Sequence, residues 1–357
     1  MLALTSLPDP LVQWRRDIRR RQRFQRELAH RLSRVENDRP QAGAALRSLL
    51  VTMLARPPMA SRRKGAPDAV SVLKGKAREA MDLLDSPQTE ARDAALLAVT
   101  RWMASTDARD ADAFHAYGLA FCLVHQPLLD YLQTRLTSHV VMHMTCRPRI
   151  GRAVQSSASF ATLEAGGVSQ IHVVGGDPAS ALFRWDEALG ALSVPVADSY
   201  DHLAGKVAAA YFLLALLPQV KAVLKVDDDH RAGDTVSLAR LLSQATRCRA
   251  PTQWGHQYHS PYPAGHNRIW HLGKCGDTAI NDAPYTYMGA LSWCTGEHGY
   301  VLNRAALQRF VWAHVYFDGL VRTALYEDAF VTDTLLRLGG RTRPAPMRSL
   351  LKAVDAY

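Results

Sequence analysis

The longest apolar stretch in this chain, Val207 to Leu217, falls well short of the ~20 residues that a membrane-crossing helix needs, which excludes a span there. Cysteine is scarce and scattered: Cys122, Cys146, Cys248, Cys275 and Cys294 are odd in number and show no C-x-x-C spacing. That excludes a disulfide framework and points to a reducing cytoplasm. The first ten residues, Met-Leu-Ala-Leu-Thr-Ser-Leu-Pro-Asp-Pro, show neither a charged leading segment nor a full apolar one, so no signal peptide is expected. No internal repeat is present, and no glycine-rich phosphate-binding pattern surrounds Gly175-Gly176. Acidic residues are also in deficit, 33 against 43 basic ones. The resulting formal charge of +10 predicts attraction to something anionic: phospholipid headgroups, nucleic acid or a phosphorylated substrate.

What is present is globular. Of the 357 residues 48% are hydrophobic and 21% charged, enough for one large domain or two ordinary ones with ample core. Residues 1–137 read as a helical region, built from segments at 11–36, 43–56 and 77–135 with a Pro/Lys/Arg-containing break at 56–67. In the first segment Leu11, Trp14, Ile18, Leu28, Leu32 and Val35 recur at helical spacing among nine arginines between Arg15 and Arg34. Two readings stand: a solvated helix face, or a basic face making peripheral contact with the anionic inner surface of a membrane. Nucleic acid is not expected, because interleaved aromatics and a binding motif are missing. The membrane reading has a direct check. Replacing Arg15, Arg16, Arg19, Arg20 and Arg23 with Gln should release the protein from anionic vesicles at low salt, whereas equal co-sedimentation of both proteins would leave only the solvated face.

From Ser138 the pattern changes to strands alternating with helix-like segments, over 138–357. His139–Met144, Ile171–Val174, Leu192–Val196 and Val223–Val226 are strand-like, and a helix is expected from about Asp201 to Leu217. Such alternation predicts an α/β fold with a parallel sheet and ligands bound beyond the strands' carboxyl ends. The strand at 223–226 stops at Asp227-Asp228-Asp229, with Gly233 soon after to turn the chain. Three adjacent carboxylates repel one another and are costly to bury without a cation. Alternation along an extended backbone turns Asp227 and Asp229 the same way and Asp228 the other. Two hard oxygen ligands at a strand end suit Mn²⁺ or Mg²⁺ with positions left open for phosphate oxygens; a solvated acidic turn is the plainer alternative.

Other candidates flank it. Arg147, Arg149 and Arg152 follow the first strand, either as contacts for a nucleotide or as a surface loop. His256, His259, His266 and His271 match no zinc spacing. Aromatics around Gly296 and Gly299, with Trp293 and Tyr300 among them, suit either a flat polar ligand such as a sugar or a buried aromatic strand with a glycine bulge. Glu327 and Asp328 open a last helix, where one acid would serve as a cap but two invite another use.

Four stretches in order resemble the β-1,3-galactosyltransferase and β-1,3-N-acetylglucosaminyltransferase family, with Fringe more distant. They are Asp198-Ser-Tyr-Asp-His-Leu203 with Lys206, Lys225-Val-Asp-Asp-Asp229, Gly296-Glu-His-Gly-Tyr-Val-Leu302 and Glu327-Asp-Ala-Phe330, within residues 138–345. His202, His230 and His298 depart from that pattern, as does the missing late histidine that Fringe-like members offer the metal; the family's membrane anchor and disulfides are not seen either. The resemblance implies a Rossmann-like GT-A fold that is inverting and metal-dependent. It would move a hexose or N-acetylhexosamine from a nucleotide-diphosphate sugar, UDP above all, to a hydroxyl of a glycan acceptor, free or lipid-linked. A β-1,3 linkage made in the cytoplasm or at the inner face of a bacterial membrane, in surface polysaccharide synthesis, is the expectation. On that reading Asp227 and Asp229 hold the metal. Asp228, Arg147, Arg152, Lys206 and Lys225 face the donor, and Trp293, Gly296, Gly299 and Tyr300 face the sugars. Asp328 is the base, and Glu327 orients the acceptor or caps its helix. The rival enzyme reading is a phosphohydrolase with Asp227 as nucleophile, but that pattern wants Thr or Val where Arg231 stands. A basic nucleic-acid-binding protein is the non-enzymatic rival and leaves the Asp triplet unexplained.

Overall fold

The structure is a computed structural model that describes residues 125, 127–178, 182–263, 265–287, 289–316 and 324–353. The chain divides into two compact units, residues 1–124 and 125–357, and the described residues belong to the second. The arginine-rich segment at 11–36 and the other helices expected before residue 124 lie outside the described residues. A helix over 127–135 leads into the sheet. Among the described residues no helix is long and apolar enough to cross a membrane.

The strands are β1 (His139–Met144), β2 (Val168–Gly175), β3 (Arg184–Asp186), β4 (Ala191–Val194), β5 (Ala222–Asp227), β6 (His230–Ala232), β7 (Thr252–Gly255), β8 (Gln257–His259), β9 (Asn267–Arg268), β10 (Tyr285–Thr286), β11 (Ser292–Cys294), β12 (Tyr300–Asn303), β13 (Arg341–Pro344) and β14 (Leu351–Ala353). Eight form one mixed sheet in the order β13-β7-β12-β5-β1-β2-β4-β3. Its middle, β5-β1-β2-β4, is parallel, whereas β12 runs antiparallel to β5 and β3 antiparallel to β4. The parallel strands read as continuous apolar runs because both faces are covered: every residue of β1 after His139 is buried, as is every residue of β5 before Asp227.

The main helices are α1 (Ile150–Ser157), α2 (Leu203–Leu216), α3 (Thr235–Arg247), α4 (Arg304–Tyr316) and α5 (Glu327–Arg337). The long apolar stretch noted in the sequence is α2, with every residue from Ala204 to Ala215 buried. It is apolar all round because the sheet, α4 and α5 pack against it on different sides. On the opposite face α3 supplies Leu238, Leu241, Leu242 and Ala245 to a core with Val141, Leu224, Trp254 and Val301. Asp234 caps α3, its side chain accepting from the Ser237 N–H at 3.0 Å.

Chain order singles out one edge of the sheet. From β1 the sheet grows through β2 and β4 on one side and through β5 on the other, so the connections diverge between β1 and β5. Crevices at such divergence points, beyond the carboxyl ends of the strands, are where open α/β sheets bind ligands. Register sets Met144 of β1 beside Asp227 of β5, so Thr145 to Arg147 and the Asp triplet share that edge.

Candidate active site

Three adjacent carboxylates meet three different surroundings at the end of β5. Asp227 and Asp229 keep about a third of their side chains exposed, 32% and 35%. Asp228 is buried and accepts from the Thr145 hydroxyl at 3.1 Å; burial raises its pKa. The strand ends at Asp227, and it is a turn, anchored by Thr145 at the end of β1, that sends Asp228 inward.

The chain leaving the triplet is clamped. Carbonyl oxygens only accept, so the Nε2 of His230, 2.6 Å from the Glu297 carbonyl, carries the proton. Its Nδ1 then accepts from the Asp227 N–H at 3.1 Å. The Ser156 hydroxyl bonds to the His230 carbonyl, and Ser159 accepts from the Ala232 N–H. Beyond them β6 pairs with β14. Asp227, Asp229 and His230 each offer a ligand atom, all within 4.8 Å of one another. With Nδ1 turned to a backbone N–H, the groups left to meet an incoming cation are the carboxylates of Asp227 and Asp229, Asp227 through its Oδ2 because Lys225 holds its Oδ1 at 2.7 Å. A hard oxygen pair of this kind fits Mn²⁺ or Mg²⁺.

The second half of the site comes from α5. Lys225, fully buried on β5, bridges the two halves: its Nζ lies 2.7 Å from Asp227 Oδ1 and 3.0 Å from Glu327 Oε2. Burial alone would lower its pKa, but Asp227 and Glu327 outweigh that and raise it. Burial drives Glu327 up to about 6 despite the pull of Lys225. Its other oxygen takes the Tyr300 hydroxyl. Asp328 is half-buried, accepting from the Gly296 N–H at 2.9 Å and from the Ala329 N–H at 2.8 Å. Its pKa is raised, chiefly by burial. Gly296 can lie here because it lacks a side chain: a Cβ would sit 3.1 Å from Glu327 Oε2 and 3.3 Å from Lys225 Nζ. Gly299, at φ +64°, turns the chain where a Cβ would meet Leu351 and the Lys225 carbonyl.

This arrangement corrects several residue roles expected from the sequence. Lys225 and Lys206 are buried and committed, Lys206 to Asp198 Oδ1 and the Thr145 carbonyl at 3.0 Å each, so neither is presented to a donor. Trp293 and Tyr300 are buried too, and the two glycines approach protein groups; the aromatic strand with a glycine turn describes this stretch, not a sugar-facing surface. Glu327 is enclosed, and ties α5 to β5 instead of meeting an acceptor. Two of the arginines keep exposed surface, 33% for Arg152 and 47% for Arg147. Arg152 lies 3.4 Å from Asp229 Oδ2 and 3.9 Å from Asp228 Oδ1, and Arg147 is half-exposed on Asp186 at 2.9 Å.

Two further positions near the site were not singled out from sequence. Asp198 accepts from the Gly175 and Arg147 N–H groups at 2.7 and 2.6 Å, so with Lys206 it braces the β1 and β2 ends. Tyr200 has its phenol pushed up to about 12 by burial, with Asp328 and Asp227 adding to the rise. Both belong to the Asp198-Ser-Tyr stretch, whose order in the chain was the available signal.

The buried bridge predicts a stability effect. In Lys225→Met, Glu327 is left buried without its cation, a change that typically costs about 3–5 kcal/mol. A carboxyl with a raised folded-state pKa contributes stability at low pH that is lost as pH rises through that value. Urea unfolding should therefore find the variant closest to the wild type near pH 5 and furthest below it near pH 8; a pH-independent difference would deny the bridge.

Compared with known proteins, the chain matches no protein-family model and no curated protein.

Proposed function

We propose that the crevice between β1 and β5 binds a nucleotide-diphosphate sugar, UDP-linked above all, with Mn²⁺ or Mg²⁺, and that the chain is an inverting glycosyltransferase of GT-A type. The observation that carries this is the joining of two carboxylate groups through Lys225: the open pair Asp227 and Asp229 on β5, and the α5 start that bears Asp328. A phosphohydrolase would use the first group alone. A transferase needs both, one to hold the cation and one to take a proton from the incoming hydroxyl.

Asp227 and Asp229 would hold the metal through their exposed oxygens. When bound, the metal supplies positive charge against the pyrophosphate as it leaves. Arg152, and Arg147 further out, border the space for the phosphates. Asp328 would accept the acceptor hydroxyl's proton as that oxygen attacks the anomeric carbon. Its two backbone N–H bonds fix the carboxylate's plane and leave a lone pair on each oxygen, and burial makes it a stronger base than an exposed aspartate. A single displacement with one base inverts the anomeric centre, giving a β-linkage from an α-linked donor. Acceptor glycans, lipid-linked ones included, would be the second substrate.

Nucleotide release from UDP-, GDP- and CMP-sugars, with and without Mn²⁺, tests this reading; no release from any donor would overturn it. The base also sets a pH limb. Only the deprotonated carboxylate accepts the proton, so kcat/KM should fall with acidification through a pKa above the usual aspartate value of 3.8. An acid limb at or below that ordinary value would remove Asp328 from the role.

A further inference from the structure

Arg268, on β9, is a buried cation without a counter-charge. It is 2% exposed, and only its Nη2 has a partner, the Ser260 hydroxyl at 2.8 Å. Nε and Nη1 are buried with no hydrogen-bond partner, and among the described residues no carboxylate pairs with it. What surrounds it is aromatic: the guanidinium carbon lies 4.9 Å from the Tyr262 ring centre and 5.8 Å from that of Trp270. Cation–π contact recovers only part of what a guanidinium loses on leaving water. Arginine is also the side chain whose planar fork best matches carboxylate and phosphate.

The position is next to the chemistry. Trp270 packs 5.2 Å from Tyr326, the residue immediately before Glu327 and Asp328. The rings beside it are not sealed: Tyr262 and Trp270 are themselves 47% and 41% exposed. Those two rings are also the large aromatic faces presented to solvent on this side, in contrast to buried Trp293 and Tyr300.

We propose that Arg268, beneath Tyr262 and Trp270, recognises an anionic group on the acceptor, a carboxylate or a phosphate, so that the acceptor is an acidic or phosphorylated glycan and not a neutral one. The word acceptor rests on the transferase reading above; the anion site does not. Charge recognition comes from the guanidinium, and the exposed rings offer flat faces to the sugar beside it.

The test compares the wild-type full chain with Arg268→Met and Arg268→Lys by thermal unfolding, using methyl β-glucuronide, its neutral counterpart methyl β-glucoside, and inorganic phosphate as probes. A probe at ten times its Kd should raise the wild-type Tm by roughly 2–5 °C. Arg268→Met should lose that rise, Arg268→Lys should keep part of it, and the glucoside should give none. A rise with glucuronide alone assigns a sugar acid, and a rise with phosphate alone assigns a phosphorylated acceptor. Absence of any rise in the wild type, an equal rise in Arg268→Met, or an equal rise with the glucoside would each overturn the proposal. So would a large fall in the Tm of Arg268→Met without any probe, since the guanidinium would then be an internal prop. Metal-dependent nucleotide release by the wild type, scored in parallel, reports on the transferase assignment separately.

Discussion

Asp229→Ala is expected to lower transfer by at least ~10²-fold while leaving the fold and its thermal midpoint close to the wild type. The size follows from what is removed: one of two open carboxylates that would hold the cation opposite the developing charge, where the loss of a single stabilising group typically costs that much. Tolerance of the fold follows from the surroundings. Asp229 sits in a turn, about a third exposed, with Arg152 at 3.4 Å and His230 at 3.3 Å. Removing it also relieves repulsion with two neighbouring aspartates. Asp228→Ala should behave differently, because that side chain is buried on Thr145 at the junction of β1 and β5, and its loss should register as lowered stability. Initial rates with Mn²⁺ titrated against EDTA, alongside thermal unfolding, separate the two. Unimpaired transfer by Asp229→Ala in EDTA would remove the metal from the mechanism.

Asp328→Asn should reduce turnover by roughly 10²–10⁴-fold, the usual worth of a positioned general base, with donor affinity retained. The amide keeps the shape of the side chain, and an oxygen can still accept from the Gly296 or Ala329 N–H, so α5 should start as before. Glu327→Gln is the control, and it should act through stability: it weakens the link from Lys225 to α5, shifting unfolding more than the chemical step. A well-folded Glu327→Gln without activity, together with a nearly normal Asp328→Asn, would move the base by one residue.

The parts legible in the sequence were those written as pattern. Alternation of strands and helices carried the α/β class, and the abrupt end of an apolar run at Asp227 marked the end of β5. The length of the 207–217 run separated a core helix from a membrane span, and α2 is buried from Ala204 to Ala215. What a pattern does not carry is the third dimension. Lys225 and Lys206 look like donors for phosphate until the fold encloses them, because a lysine's type says nothing of whether its charge is already paired. Trp293 and Tyr300 show the same limit for aromatics: a sugar platform and a core strand use the same residues, and only burial distinguishes them. Arg268 was invisible for the opposite reason. An arginine in a polar loop reads as solvated, and nothing in its neighbours' identities discloses that two of its nitrogens are sealed without a partner.

The most direct measurement is UDP binding to the wild-type protein by titration calorimetry, in Mn²⁺ and again in EDTA, with Asp227→Asn as the control. Binding in Mn²⁺ that disappears in EDTA and in the variant is the expected result. Equal binding in Mn²⁺ and EDTA, or no binding of UDP, GDP or CMP under any condition, would contradict a metal-dependent nucleotide-sugar site at the end of β5.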